Sequence, residues 1–163
     1  MNPRIVIIGL IALAIVGAFV GAGLFVTKDN RLKLTGKVLQ VRSYAISPET
    51  SIAVIDLSLK NPSTQQFQLG ETAVELVKRD GSTVPGEIAS NAEADRFFQY
   101  YPVLGKRYNP SLVRKTILNS GAGRDYMLSV RFDVPDSEIQ NRKGVRIKLV
   151  DVDGVGSEIT EQR

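Results

Sequence analysis

The sequence predicts a mainly β protein, with a single N-terminal transmembrane helix followed by an antiparallel immunoglobulin-like β-sandwich carrying one short helical insertion. Three observations predict this fold class. An uncharged apolar run extends from Ile5 to Val26. From Leu32 onward, apolar and polar residues alternate in short runs separated by turn-forming residues, the pattern of half-buried strands. Between these runs, the segment from Ser90 to Glu93 has the spacing of a helix capping box.

The apolar run predicts an anchor domain at residues 1–28. As a helix, Ile5 to Val26 is long enough to cross the roughly 30 Å of a bilayer core. A cleaved signal peptide is the alternative, because the small residues Gly21, Ala22 and Gly23 resemble a cleavage site. We favour an uncleaved signal-anchor, since the apolar core of a signal peptide is usually shorter.

Small residues are spaced along one side of this predicted helix. Gly17 and Gly21 form a GxxxG motif, and Ala14 and Ala18 add a neighbouring row. Such faces let two membrane helices approach closely, so we expect packing against other membrane protein subunits within the lipid bilayer. Gly and Ala are also common in membrane helices without such a role, and this alternative stays open.

The side of the membrane follows from two conflicting signals. Basic residues after the apolar run, such as Lys28 and Arg31, outnumber those before it and favour a cytoplasmic domain. A folded domain of this length translocates largely regardless of charge, and a short basic tail before an apolar segment is typical of export signals. We therefore expect a single-pass protein of a bacterial envelope whose C-terminal domain is extracytoplasmic, in the periplasm.

Residues 29–163 are predicted to form the β-sandwich domain. The alternating runs occupy residues 32–38, 53–60, 73–77, 126–134 and 145–150. Asp80 and Gly81 predict a hairpin turn between the third run and Thr83. Several strands with turns between them indicate an antiparallel sandwich.

A short helix is predicted near residues 91–101, ending before Pro102. It begins a window with a concentration of aromatic residues and an adjacent arginine: Phe97, Phe98, Tyr100, Tyr101, Arg107 and Tyr108. Three interpretations are open. The rings fill an open end of the sandwich, they dock a protein partner, as Tyr and Arg often do, or they touch lipid headgroups.

Composition limits the chemistry. The chain has no Cys, His or Trp. This excludes disulfides, thiol nucleophiles, Ser-His-Asp triads and ordinary zinc sites. We find no phosphate-binding glycine motif, and we expect no enzyme, no cofactor and no metal. The net charge of +4 includes no dense basic block, so we expect no nucleic-acid partner.

Part of the β region resembles a known group. The run from Asp56 to Ser63, with its Asn-Pro turn, is similar to late-embryogenesis-abundant type 2 domains, also called WHy domains. The spacing of Leu118, Gly123 and Tyr126 resembles the tyrosine corner of fibronectin III domains. The chain also resembles bacterial membrane-anchored proteins in which a short immunoglobulin-like domain follows one transmembrane helix. The resemblance implies binding or protective roles and no catalytic residues.

Two functions follow as expectations. The first is a non-catalytic accessory or structural subunit that docks on a larger membrane protein complex through the aromatic window. The alternative is a free-standing envelope binding or stress-protective module of late-embryogenesis-like type.

Overall fold

A computed structural model of the protein describes residues 33–161. The predicted anchor, with its small-residue face at Ala14, Gly17, Ala18 and Gly21, lies outside the described residues. Among the described residues, no helix combines the length and the apolar character needed to cross a membrane.

The described chain is mainly β, with eight strands, two α-helices and one 3₁₀ turn. In order these are β1 (Thr35–Ser47), β2 (Thr50–Lys60), β3 (Phe67–Val77), β4 (Thr83–Ile88), α1 (Asn91–Tyr100), the 3₁₀ turn (Pro102–Leu104), β5 (Ile117–Leu118), β6 (Gly123–Phe132), α2 (Asp136–Gln140), β7 (Gly144–Asp151) and β8 (Gly156–Thr160).

The strands form two layers that β4 joins. All strand pairs are antiparallel, in the order β1-β2-β6-β4-β3-β7-β8. The first part of β4 pairs with β3, while Glu87 and Ile88 pair with β6, so β4 crosses from one layer to the other. Apart from the short β5, which pairs with β3, this order corresponds to that of immunoglobulin-like sandwiches. The prediction of a mainly β, antiparallel fold is confirmed.

The main core lies between the layers and is built from alternate positions of the strands. Each strand sends every second side chain inward, because side chains alternate across a pleated backbone. On β2 these are Ala53, Ile55, Leu57 and Leu59, all fully buried or nearly so. Ile139 of α2 joins the same core, and this second helix is additional to the single helical insertion that the sequence predicted.

One glycine permits the crossing of β4 between the layers. A Cβ atom on Gly86 would lie 2.3 Å from Cγ1 of Val130 and 2.6 Å from Cε1 of Phe132. Real Cβ atoms do not approach other heavy atoms so closely, and both neighbours are buried in the core. Only glycine therefore lets the β4 backbone pass against β6.

The helix prediction is confirmed in its position and its cap. The Ser90 side chain accepts a hydrogen bond from the Glu93 N–H at 3.3 Å, and the Glu93 carboxylate accepts one from the Ser90 N–H at 2.8 Å. The helix ends at Tyr100, before Pro102, which cannot continue it.

The interpretation that this helix fills an open end of the sandwich is wrong. Ala94 of α1 and Leu104 pack on Val54 and Met127, in a small core that is separate from the main one. Val54 and Met127 project from the outer face of the first layer. The helix covers this face because β2 carries apolar residues on both of its sides.

The similarity of Tyr126 to a tyrosine corner does not hold. In immunoglobulin-like domains, that tyrosine lies near the start of the strand that corresponds to β7. Here Tyr126 lies in β6, opposite Leu57 of β2, and its ring is buried in the main core. The spacing of Leu, Gly and Tyr therefore reflects the entry into a central strand of the first layer.

Candidate docking surface

Residues 89–112 cross the outer face of the first layer and return, and we call them the outer-face segment. The segment follows β4 and begins beside β6, where the Ala89 N–H donates to the Ser129 carbonyl at 2.8 Å. It reaches β1 where the rings of Tyr101 and Tyr44 lie 5.0 Å apart. It returns to β6 where the Leu112 N–H donates to the Met127 carbonyl at 2.8 Å. The segment thus spans all three strands of the layer.

Arg42 of β1 holds the returning half of this segment. Its guanidinium donates to the Leu104 carbonyl and, at 2.9 Å, to the Lys106 carbonyl. It also donates to the Asp56 carboxylate at 2.9 Å, forming an ion pair. The side chains of Arg42 and Asp56 are only 12% and 5% exposed, so both charges are largely removed from water. One cation therefore ties two backbone carbonyls of the segment to two strands.

Aromatic rings and an amide complete this network. The Arg42 guanidinium lies 5.7 Å from the centre of the Phe98 ring and 5.2 Å from that of Tyr108, within the range of cation–π attraction. The Asn109 side-chain amide donates to the second oxygen of Asp56 at 3.0 Å. Both oxygens of the buried carboxylate thus have partners, as a buried charge requires.

Sequence reasoning missed this network. It placed Asp56 on the polar face of a half-buried strand, whereas the residue is 4% exposed. Arg42 and Asn109 were not predicted to take part, because no neighbouring residue in the sequence marks either of them as a partner of Asp56. The available signal was an acidic residue inside the run from Ile52 to Leu57, which is otherwise apolar.

The six residues predicted to dock a partner all lie on the outer-face segment, in two different roles. Phe97, Phe98 and Tyr101 are partly buried and pack on the small core beneath α1. Tyr100 and Tyr108 are 70% and 67% exposed.

Arg107 has a structural role within the segment. It forms an ion pair with Asp95 of α1 and donates to the Ser111 hydroxyl at 3.0 Å. It therefore joins the outgoing and returning halves of the segment.

A groove lies beside α1. Its volume is about 300 Å³, and its walls combine apolar side chains with three charged groups: Ile46, Glu87, Ile88, Ala89, Glu93, Phe97, Tyr101 and Arg131. Arg131 already pairs with Glu87 at 3.0 Å and with Asp133 at 3.7 Å. A shallower groove of about 550 Å³ lies near the start of α1 and reaches Glu71 and Arg114.

The capping box alters the ionisation of one groove residue. Hydrogen bonds from the Ser90 backbone, and secondarily from its side chain, hold the pKa of Glu93 below its ordinary value of 4.5. Glu93 is therefore ionised near neutral pH and engaged in the helix cap. Within residues 33–161, no group of three or more acidic side chains is arranged to hold a metal ion.

Comparisons with known proteins identify no family. No family model matches the chain, so neither the late-embryogenesis-abundant nor the WHy resemblance is supported. No curated protein matches it either.

Among solved structures, the chain is similar to the ycdA protein of Bacillus subtilis, with 9% identity, a TM-score of 0.45 and 81% of this chain covered. The chain spans 38% of the length of that protein. It is also similar to a β-sandwich protein of Clostridium difficile, with 11% identity, a TM-score of 0.38 and coverages of 80% and 86%. The archaellum periplasmic stator protein FlaG of Sulfolobus acidocaldarius has 14% identity, a TM-score of 0.33 and coverages of 78% and 99%. At these identities, likeness concerns the fold alone.

Proposed function

We propose that this protein is a non-catalytic accessory subunit, anchored in the membrane by Ile5 to Val26, that docks on a larger membrane protein complex through the outer-face segment. The supporting observation is that Tyr100 and Tyr108 are mostly exposed on a segment that a buried ion pair holds in place. Tyrosine side chains on a rigid support lose little conformational entropy on binding, which favours recognition.

The chemistry of the surface agrees with protein recognition. Exposed rings near a groove with apolar and charged walls, where Glu87 and Arg131 already form an ion pair, provide apolar contact area and hydrogen-bonding hydroxyl groups. Such a surface has the aromatic enrichment of protein interfaces. In this proposal the β-domain lies outside the cytoplasm, and the predicted anchor adds helix packing through Gly17 and Gly21.

Exchange of the exposed tyrosines tests the proposal. We expect Tyr100→Ala combined with Tyr108→Ala to release a partner that co-purifies in stoichiometric amount with the wild-type chain from its own membranes in mild detergent. Ile117→Ala, on β5 and 50% exposed, is the matched control and should retain the partner. Both variants should fold, because each removes a mostly exposed side chain.

Two results would contradict the proposal. The first is a wild-type chain that purifies alone, as a free-standing binding or protective module would. The second is equal recovery of the partner with the tyrosine variant and with the control. Protease protection in spheroplasts tests the location, since an extracytoplasmic domain is digested there without lysis of the inner membrane.

A further inference from the structure

β1 is an edge strand with a free side. It pairs with β2 along one side. Near its start this other side approaches β8, where the N–H of Leu34, just before β1, donates to the Ser157 hydroxyl at 2.8 Å. Further along, the Ser43 hydroxyl accepts a hydrogen bond from the Gln140 side chain of α2 at 2.8 Å. Among the described residues, the backbone of residues 37–47 makes hydrogen bonds to no strand or loop other than β2. The free side therefore presents unpaired N–H and C=O groups to which another strand can add.

The protection usual at such edges is confined to the two ends of the strand. Irregularities at Leu39 and Ile46 interrupt the register with β2. Between them, the stretch from Gln40 to Ala45 is regular and contains no proline, lysine or acidic residue. Its one charged side chain, Arg42, is engaged with Asp56. Bulges, proline and lysine are the common means of blocking edge pairing, and this stretch lacks them.

Apolar side chains lie beside the free edge. Leu39, Tyr44 and Ile46 of β1 are 45%, 38% and 41% exposed. Tyr44 contacts Tyr101, and Val103 of the following turn is 69% exposed. An added strand would therefore bury apolar surface as well as pair its backbone, and both effects favour association.

The strand is complementary to itself. In an antiparallel pair of β1 strands with the two-fold axis at Ser43, Arg42 lies opposite Tyr44, and Val41 opposite Ala45. Each side chain then shares a face of the joined sheet with the one opposite, as the pleat requires. Lys37 and Glu49 are equally far from Ser43 in sequence, and neither has an ion-pair partner within residues 33–161. In the pair, the end of one strand that carries Lys37 lies at the end of the other copy where Glu49 stands in the turn after β1, so the charges at each end are opposite.

We propose that β1 pairs with β1 of a second copy of this chain, antiparallel about Ser43, so that the two first layers form one continuous sheet. This contact is isologous and closes at a dimer. It uses the edge of β1, whereas the proposed docking function uses the tyrosines of the outer-face segment. The two proposals can therefore fail separately.

Site-specific cross-linking tests this contact. The chain has no cysteine, so Ser43→Cys introduces a single thiol. Residues opposite each other in an antiparallel pair have Cβ atoms about 4.5–5.5 Å apart, close enough for a disulfide to form with a small adjustment. In the full chain in mild detergent, we expect oxidation to convert Ser43→Cys mainly to a covalent dimer. Thr160→Cys, exposed on β8, is the control and should stay monomeric.

A charge on the edge tests the same contact without cross-linking. Ala45 is exposed in the described chain, so Ala45→Lys should fold normally, as circular dichroism can verify. In the proposed dimer this lysine would be buried opposite Val41, and we expect the dimer dissociation constant from sedimentation to rise by roughly tenfold or more. Added to Ser43→Cys, the same change should abolish the disulfide dimer.

Several outcomes overturn the proposal. These are a wild-type chain that sediments as a monomer, equal cross-linking through Ser43→Cys and Thr160→Cys, and a disulfide dimer that survives Ala45→Lys. A wild-type dimer that Ala45→Lys leaves intact, with no disulfide through Ser43→Cys, also overturns it, because the contact then lies elsewhere in the chain.

Discussion

The buried ion pair beneath the outer-face segment allows a sharp test of what holds the segment in place. Asp56 is 4% exposed, and replacing Arg42 by leucine leaves its carboxylate with only the Asn109 amide as a hydrogen-bond partner. Removing one partner of a buried ion pair costs about 3–5 kcal/mol, because the other charge stays buried without compensation. That is a large fraction of the roughly 5–15 kcal/mol by which domains are usually stable.

The double variant Arg42→Leu with Asp56→Leu should behave differently. It removes both charges, and replacing a buried pair by apolar residues is often neutral or better. It still leaves the Leu104 and Lys106 carbonyls without their donor, at a net loss of about 1 kcal/mol each. We therefore expect global stability to fall by no more than about 2 kcal/mol, less than in the single variant.

Hydrogen exchange measured by mass spectrometry separates the two effects. The slowest amides of β2 and β7 report global unfolding, whereas amides near Leu104 report local opening. A local loss of about 2 kcal/mol corresponds to roughly 30-fold faster exchange, expected in both variants. Arg146→Leu is the matched control, since Arg146 is 36% exposed in its pair with Glu75. That surface pair should contribute about 1 kcal/mol at most.

Two results would refute this reasoning. If the single and double variants lose the same global stability, an uncompensated buried charge is not the cause of the loss. If exchange near Leu104 stays at its wild-type rate in both variants, Arg42 does not hold the segment.

Two further predictions concern the fold. We expect Gly86→Ala to lower the melting temperature measured by circular dichroism, because the added Cβ would overlap Val130. Gly156→Ala is the control. Its added Cβ has no atom within 4 Å, so its melting temperature should stay near the wild-type value. Because the pKa of Glu93 is lower in the folded than in the unfolded chain, its ionised form stabilises the capping box. This stabilisation is fully present at a pH above 4.5, the ordinary pKa of the carboxyl group, and is lost as the pH falls through the lower pKa of the folded state. Exchange near the start of α1 should therefore rise in acid, and Glu93→Gln should remove that pH dependence.

Local signals in the sequence predicted the elements that depend on local interactions. The capping box predicted the start of α1, because its two hydrogen bonds join Ser90 and Glu93, which are only three residues apart in the sequence. Period-two alternation predicted β2, β6 and β7, since each has one side facing the main core. The two-residue β5 escaped prediction, because its existence depends on pairing with Phe67, far away in the chain.

The candidate site was only half predictable, for a physical reason. The cluster of rings around Tyr101 is visible in the sequence, but the surface on which the rings pack is formed by residues that are distant in the sequence. Asp56 is a polar residue between the apolar positions Ile55 and Leu57, so the period-two pattern of the strand predicts that it faces solvent. It is buried because the chain returns more than forty residues later, at Leu104 and Asn109, to cover it. No pattern within a single strand encodes that return.

Ion pairs between arginine and acidic residues occur on both outer faces of the sandwich, but their roles differ. On the second layer, Arg146 forms ion pairs with Glu75 at 3.0 Å and with Glu158 at 3.4 Å, and these side chains stay in contact with water. On the first layer the face is apolar and covered, and apolar contacts alone do not fix where a covering segment sits, because they have no direction. Hydrogen bonds from Arg42 to two carbonyls supply that direction. The buried pair is therefore best understood as fixing the position of the segment, and with it the position of Tyr108, one of the two rings proposed above to dock a partner.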